Sequence, residues 1–142
     1  IRGGEILGVA GIAGCGQKEL CEAIAGLRGI AGGEIVHKGE NIVGLSPKKI
    51  IEKGISMSFI PEDRLGMGLS PSLSITDNML LKNYNEDNPW NPVVNRKRGR
   101  AEAESIISEL GIVTPSTETP VRLLSGGNVQ KVLLGRERSD RT

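Results

Sequence analysis

The chain has 142 residues, of which 18 are basic and 17 acidic, so its formal net charge of +1 does not favour a dedicated nucleic-acid-binding protein. Its length fits one domain, and an aromatic content of only 2% means that the core must be aliphatic. No apolar run approaches the roughly 20 residues that span a membrane. The two cysteines, Cys15 and Cys21, indicate a reduced, cytosolic setting, and their distance in sequence from the single His37 gives no reason to expect a metal site.

Residues 6–27 are predicted to form a strand, a glycine-rich loop and a helix. The apolar run 6–10 is long enough for a buried strand. The loop follows at residues 11–16. One face of the predicted helix is apolar at the spacing i, i+3, i+4 and i+7, and consists of Leu20, Ala23, Ile24 and Leu27. Free amides and the helix dipole at such a junction both favour a bound phosphate.

The loop has the glycine spacing of a P-loop, at Gly11, Gly14 and Gly16. The residue that should be the phosphate-binding Lys is Gln17, and the residue that should be the magnesium-binding Ser or Thr is Lys18. Lys18 comes one residue late, which on a helix rotates it by about 100°.

Glu19 adds a carboxylate close to where phosphate oxygens would lie. We interpret the segment as a phosphate loop that has kept its shape and lost its chemistry. A glycine-rich turn without any ligand is an equally weighted alternative, and a dinucleotide-binding loop fits the glycine spacing less well.

The rest of the chain alternates short strands, helices and turns. Predicted strands are a hairpin over 34–43 that turns near 38–40, and a strand over 55–60. Predicted helices are one capped by Ser46 with Pro47 in its first turn and closed by Gly54, one over 75–81, and one through 103–110 that stops at Gly111. Loops are expected over 62–68 and 83–95.

Residues 96–100 form the one basic run of the chain. A nucleic-acid patch is possible in principle, but acidic residues follow at once and no aromatic residues interleave. We therefore favour a solvated helix start.

The run Leu-Ser-Gly-Gly-Asn-Val-Gln at residues 124–130 is the most specific motif in the chain. Ser125 can cap a helix, and Gly126 and Gly127 then expose their amides at its positive end. That end can hold a γ-phosphate presented by another subunit or domain, and an ordinary capped helix is the alternative. The run resembles the signature motif of the ABC-transporter ATPases.

Two further stretches and one residue of the signature point to a particular group within this family. Residues 14–20, the Ile-Pro-Glu-Asp-Arg run at 60–64 and Asn128 resemble the second cassette of the two-cassette ATPases that drive import of simple sugars and nucleosides. That resemblance implies a degenerate P-loop and places Glu62 at the position of the family's Gln loop. Gln17, residues 45–47 and residues 114–115 look more like the nucleoside branch than the ribose or galactose branch.

The fold implied by the resemblance is α/β, a partial P-loop NTPase core with a small antiparallel β piece and a helical subdomain. The expected divisions are 1–61 for the core with its hairpin, 62–137 for the helical subdomain with the signature, and 138–142 for a tail. Both ends look cut, and the family's Walker B strand, which would follow, is absent. We therefore expect a piece of a longer protein.

The resemblance also implies a function. The parent protein would use ATP and Mg²⁺ to drive import, and Ser125, Gly126 and Gly127 would complete the ATP site of a partner cassette in the same polypeptide. A transmembrane permease would be a direct partner and a substrate-binding protein an indirect one, at the cytoplasmic face of the cell membrane, with no nucleic acid. The chain alone is expected to be inactive. The alternatives are a non-catalytic, nucleotide-sensing or structural half, and a soluble ABC-type ATPase that acts on ribosomes or DNA.

Overall fold

A computed structural model describes residues 4–55, 57–83 and 94–139. The chain divides into two compact units, Ile1–Met57 and Ser58–Thr142. Over the described residues it forms five α-helices and one two-stranded sheet. None of the helices in this part of the chain is both long and apolar enough to cross a membrane.

The first unit contains α1 (Gln17–Ile24), the hairpin strands β1 (Val36–His37) and β2 (Glu40–Asn41), and α2 (Pro47–Glu52). The predicted hairpin is confirmed, because the two strands pair antiparallel in the register that opposes His37 and Glu40. Between them, Lys38 and Gly39 both have positive φ values, 49° and 85°. This is the turn conformation whose twist matches that of the flanking strands.

The predicted cap of α2 is also confirmed. The Ser46 hydroxyl accepts a hydrogen bond from the Lys49 amide at 3.4 Å, and Pro47 is the first helical residue. Ile50 on α2 is almost fully buried and lies against Gly26, where a Cβ atom would come within 2.7 Å of the Ile50 Cδ1. The two helices of the unit therefore meet at a position that accepts only glycine without rearrangement.

Two predicted strands are wrong. Residues 6–10 are not a strand, and the Ile6 side chain is 97% exposed. The described residues of 55–60 are not a strand either. A strand is completed by hydrogen bonds to a neighbour, and neither segment has a paired strand beside it in the described parts of the chain.

The second unit is built on α3 (Ile75–Asn83), α4 (Arg96–Leu110) and α5 (Gly126–Ser139). The predicted helices at 75–81 and through 103–110 are confirmed, and α4 ends as expected at Gly111 in the left-handed conformation, with φ of 57°. Its buried core comprises Leu69, Ile75, Met79, Ala103, Ile106, Ile112, Val121, Val129, Val132 and Leu133.

Two glycines let these three helices approach one another closely. A Cβ atom at Gly99 on α4 would lie 2.5 Å from Leu80 Cγ on α3, and one at Gly135 on α5 would lie 2.9 Å from Ile106 Cδ1 on α4. Cβ atoms are essentially never found this close to another non-bonded heavy atom. The short distances between these helices therefore require that residues 99 and 135 be glycine.

The loop predicted over 62–68 is instead largely one turn of π-helix, Arg64–Gly68. Asp63 caps it, since its Oδ1 accepts from the Gly66 amide at 2.8 Å, and the Leu69 amide closes it by donating to the Arg64 carbonyl at 2.7 Å. The loop predicted at 83–95 lies almost wholly outside the described residues.

The basic run begins α4, which confirms the predicted helix start. Asn95 caps the helix by accepting from the Arg98 amide at 3.2 Å. Arg96 and Arg100 donate to the Glu118 carboxylate at 3.0 and 3.1 Å, and the Thr76 hydroxyl donates to it at 3.0 Å. The hydrogen bonds from Arg100 and then Thr76 hold the pKa of the Glu118 carboxyl below its ordinary value.

The first residues of the second unit return to its last helix. The Ser58 hydroxyl donates to the Glu137 carbonyl at 2.8 Å, and the Phe59 amide donates to Glu137 Oε2 at 3.2 Å. Glu137 is 5% exposed, and its other carboxylate oxygen accepts from the Arg136 guanidinium at 2.9 Å. The buried carboxylate is therefore both paired and hydrogen-bonded, as a buried charge must be.

Candidate functional site

The glycine loop of the first unit leads directly into α1. Gly14 and Gly16 adopt the left-handed conformation, with φ of 85° and 97°, and Gly16 is the residue before the helix. The Cys15 amide donates to the Ile12 carbonyl at 3.2 Å, and the Leu20 amide donates to the Gly16 carbonyl at 2.9 Å. A loop-to-helix junction is thus present where the sequence predicted it.

The side chains at the start of α1 do not form a phosphate-binding set. The Gln17 amide group lies directly against the Cα of Gly11, in the space where a Cβ atom there would be. The Lys18 ammonium is 3.8 Å from Glu22 Oε1 one turn along the helix. Glu19 is exposed. The loop therefore offers a neutral amide where a P-loop has a cation.

The carboxylate of Glu22 also accepts from Arg28 Nε at 2.9 Å. No group of three or more His, Cys, Asp or Glu side chains suited to a metal ion occurs among the residues that the structure describes.

The second candidate site is the start of α5. Ser125 directly precedes the helix, and its carbonyl accepts the first helical hydrogen bond from the Val129 amide at 2.9 Å. Ser125, Gly126 and Gly127 are exposed, and a Cβ atom at Gly127 would meet nothing within 4 Å. The first amides of this 14-residue helix lie at its positive end, where a helix leaves its N–H groups without helical partners, and the residues there are exposed.

Asn128 fixes this helix start to the segment that follows α4. Its Oδ1 accepts from the Val113 amide at 3.1 Å, and its Nδ2 donates to the Val113 carbonyl at 3.1 Å. The same Nδ2 donates to the Ser125 hydroxyl oxygen at 3.1 Å. One turn along, the Lys131 ammonium donates to the Gly111 carbonyl at 2.8 Å.

The Pro-Glu-Asp-Arg run also reaches the helix start. Arg64 Nη1 donates to the Gly126 carbonyl at 3.1 Å, while Glu62, two residues earlier, is exposed. In the sequence, Asn128 and Arg64 contributed only to the resemblance to the import ATPases, and no role could be predicted for either residue. Their partners lie 15 and 62 residues away, and no local spacing rule joins residues at such separations.

Residues 1–140 match the family described as ABC transporter. The chain belongs to this family. The fold class predicted from the sequence is thereby confirmed: an ABC-cassette core with helices and a small antiparallel sheet. The two segments that were wrongly predicted as strands do not change this fold class.

The ABC-family relatives include import proteins for several small molecules. The chain is 39% identical over 140 residues to the glucose import ATP-binding protein TsgD13 of Haloferax volcanii, and 42% identical over 139 residues to the guanosine import ATP-binding protein NupO of Bacillus subtilis. It is 39% identical over 136 residues to the ribose import ATP-binding protein RbsA 1 of Rubrobacter xylanophilus. Each match covers 96% of this chain but only 25–27% of the relative.

A solved structure of a nucleotide-free ATP-binding cassette from an ABC transporter resembles the chain with a TM-score of 0.55. It is 20% identical, and the match covers 86% of this chain and 49% of that one. At this identity the likeness concerns the fold alone.

Proposed function

We propose that this cassette segment is part of the ATP-binding subunit of an ABC importer for simple sugars or nucleosides. Its relatives are named for glucose, guanosine and ribose import, at about 40% identity. In the proposal it is the second cassette of a two-cassette polypeptide. Its signature, Ser125 to Gly127, completes an ATP site whose phosphate loop lies on the first cassette.

The observation that carries the proposal is the open start of α5. Ser125 and the two glycines after it are exposed together at a helix N-terminus, and the space beside Gly127 where a Cβ atom would lie is empty. Amides and a hydroxyl at a positive helix end suit the terminal phosphate of a nucleotide. Glycine at 127 keeps that approach free of a side chain.

The glycine loop of this chain does not fit a magnesium–ATP site. Gln17 supplies no positive charge to the phosphates, and Lys18 supplies no hydroxyl oxygen to Mg²⁺ and is paired with Glu22. In the proposal, ATP and Mg²⁺ are therefore held by the partner cassette, and the residues of this chain contribute donors to the γ-phosphate. Glu62 would stand at the Gln-loop position.

The proposal includes partners and a location. The subunit would act at the cytoplasmic face of the cell membrane, with a separate transmembrane permease and, indirectly, a substrate-binding protein. A second candidate is a non-catalytic half that only senses or braces nucleotide, which the Gln17 and Lys18 positions favour. The two candidates differ in whether Ser125 affects turnover.

The test is the steady-state ATPase of the full-length polypeptide assembled with its permease. Ser125→Arg should lower kcat by a factor of about one hundred or more, by analogy with the removal of one donor from an oxyanion site. Gln17→Ala should change it only modestly, because that loop already lacks the phosphate-binding cation. If Gln17→Ala proves the more damaging, the assignment of working and degenerate sites is reversed. If neither variant matters, the sensing role is favoured.

A second expectation concerns the chain by itself. Phosphoryl transfer depends on positioned charge around the phosphates, and the glycine loop lacks the cation and the metal-binding hydroxyl that supply it. The purified 142-residue chain should therefore release no phosphate from ATP above background. Turnover that disappears when Gly14 or Gly16 is replaced by Val would contradict this.

A further inference from the structure

We propose that Asn128 is a positioning residue that makes the Ser125 hydroxyl a hydrogen-bond donor toward the phosphate. The inference rests on the function proposed above and adds a role for a residue that does not itself touch the nucleotide. It follows from three hydrogen bonds of one side-chain amide.

The orientation of the Asn128 amide is fixed by the backbone of Val113. A backbone N–H can only donate, so the side-chain atom 3.1 Å from the Val113 amide must be the oxygen. The other atom is then the NH₂ group, which lies 3.1 Å from the Val113 carbonyl, an acceptor only. Reversing the amide would set oxygen against oxygen and N–H against N–H.

This orientation determines what the serine can do. Asn128 Nδ2 has two hydrogens and points one at the Val113 carbonyl and one at the Ser125 Oγ, 3.1 Å away. The hydroxyl oxygen is thereby an acceptor in this contact, and its own proton cannot be directed at Asn128. That proton is left for another acceptor on the exposed side of the helix start, where the proposed γ-phosphate would lie.

Asn128→Asp is the variant that reverses the hydrogen bond to Ser125. An aspartate keeps an oxygen opposite the Val113 amide but puts a second oxygen opposite both the Val113 carbonyl and Ser125, which then has to donate its proton to residue 128. The added carboxylate is in the first turn of α5, where negative charge stabilises a helix. The variant therefore reverses the hydrogen bond of the serine, and the loss of the contact with the Val113 carbonyl is measured separately in the double variant, which has no hydroxyl to orient.

The experiment measures kcat and KM for ATP in the full-length polypeptide with its permease, for Asn128→Asp, Ser125→Ala and the double variant. Ser125→Ala should lower kcat on the order of 100-fold, and Asn128→Asp should approach that loss, with KM changed much less. In the Ser125→Ala background, Asn128→Asp should add no more than about a twofold effect, because there is no longer a hydroxyl to orient.

The control is Asn95→Asp, the same change at another helix start. Asn95 caps α4 by accepting from the Arg98 amide at 3.2 Å, which an aspartate can also do, and it lies outside the candidate site. It should leave kcat and the melting temperature near those of the unaltered protein. Melting temperatures of all variants show whether any loss of turnover reflects unfolding.

The outcomes separate the two proposals. If Ser125→Ala leaves kcat unchanged, the proposed function fails. If Ser125→Ala lowers kcat but Asn128→Asp does not, the positioning role fails alone. The positioning role also fails if Asn128→Asp multiplies the loss of Ser125→Ala, because simple charge repulsion of the phosphate or a general disturbance of the helix would act with or without the hydroxyl.

Discussion

At the scale of single residues, the described ion pairs concentrate where α4 begins. Glu118 accepts from Arg96, Arg100 and Thr76, and its side chain remains 39% exposed. An exposed pair contributes little to stability and is screened by salt, but several charges in one network can have a measurable effect. The titration of Glu118 is the clearest way to detect it.

We expect Glu118→Gln to change how stability depends on acid pH. The folded pKa of Glu118 lies below its unfolded value, with the Arg100 hydrogen bond as the largest cause. Its contribution is therefore fully present above the ordinary glutamate pKa of about 4.3 and is lost as the pH falls through the lower folded value. The free energy of unfolding, measured by urea titration, should differ between the two proteins at pH 7 and converge below about pH 4.

The comparison needs a glutamate outside this network. Glu104 is exposed on α4 and lies outside the network, so Glu104→Gln controls for the loss of one negative charge. A stability difference for Glu118→Gln that persists or grows in acid would show that the carboxylate acts by packing and not by its charge.

At the scale of elements, two helical glycines face opposite surroundings. A Cβ atom at Gly99 would lie 2.5 Å from Leu80 Cγ, whereas one at Gly127 would meet nothing within 4 Å. Gly99→Ala should therefore destabilise the second unit by about 1–3 kcal/mol through overpacking against α3. Gly127→Ala should be neutral or stabilising by up to about 1 kcal/mol, because alanine favours a helix.

Chemical unfolding of the two variants measures the overpacking at residue 99 and the gain in helix propensity at residue 127 with the same Gly→Ala substitution. Equal changes in the free energy of unfolding would mean that helix propensity and not helix separation decides the result. Both variants replace glycine by alanine within the same unit, one at a buried position and one at an exposed position. The informative quantity is therefore which of the two loses more free energy of unfolding.

The elements that sequence predicts correctly are those that are determined locally. The cap of α2 involves Ser46 and Lys49, three residues apart, and α4 ends at a glycine in the conformation that glycine favours. The signature could be located because its residues are contiguous. The family follows from these motifs, and the comparison with known proteins confirms it.

The elements that sequence predicts poorly depend on distant partners or on an uncommon local hydrogen bond. The apolar run 6–10 has the composition of a strand, but a strand needs a hydrogen-bonded neighbour and composition does not provide one. The π-helical turn after Asp63 depends on an unusual closing bond from Leu69 to Arg64. The contacts of Asn128 with Val113 depend on how α4 and α5 pack.

At the scale of the whole molecule, apolar side chains remain in contact with water along residues 6–12. Ile6 is 97% exposed and Ile12 is 79% exposed. Exposed apolar clusters and unpaired extended segments promote association. We expect the purified chain to associate as its concentration rises, which sedimentation velocity would detect as a shift toward larger species.

Replacing Ile6 and Val9 by Ser should reduce that association. Leu123→Ser, which removes an exposed apolar side chain from the second unit, is the matched control and should leave association unchanged. A chain that stays monomeric at high concentration would contradict the prediction.

The bond between the start and the end of the second unit bears on how the protein is made. Ser58 and its partner Glu137 are 79 residues apart, so a ribosome that adds about 5–20 residues per second finishes the second roughly 4–16 s after the first. Throughout that interval the Phe59 amide has no carboxylate to bind, and α3 and α4 lack the apolar face that Val129, Val132 and Leu133 supply. The second unit is therefore completed only when its last helix has been synthesised.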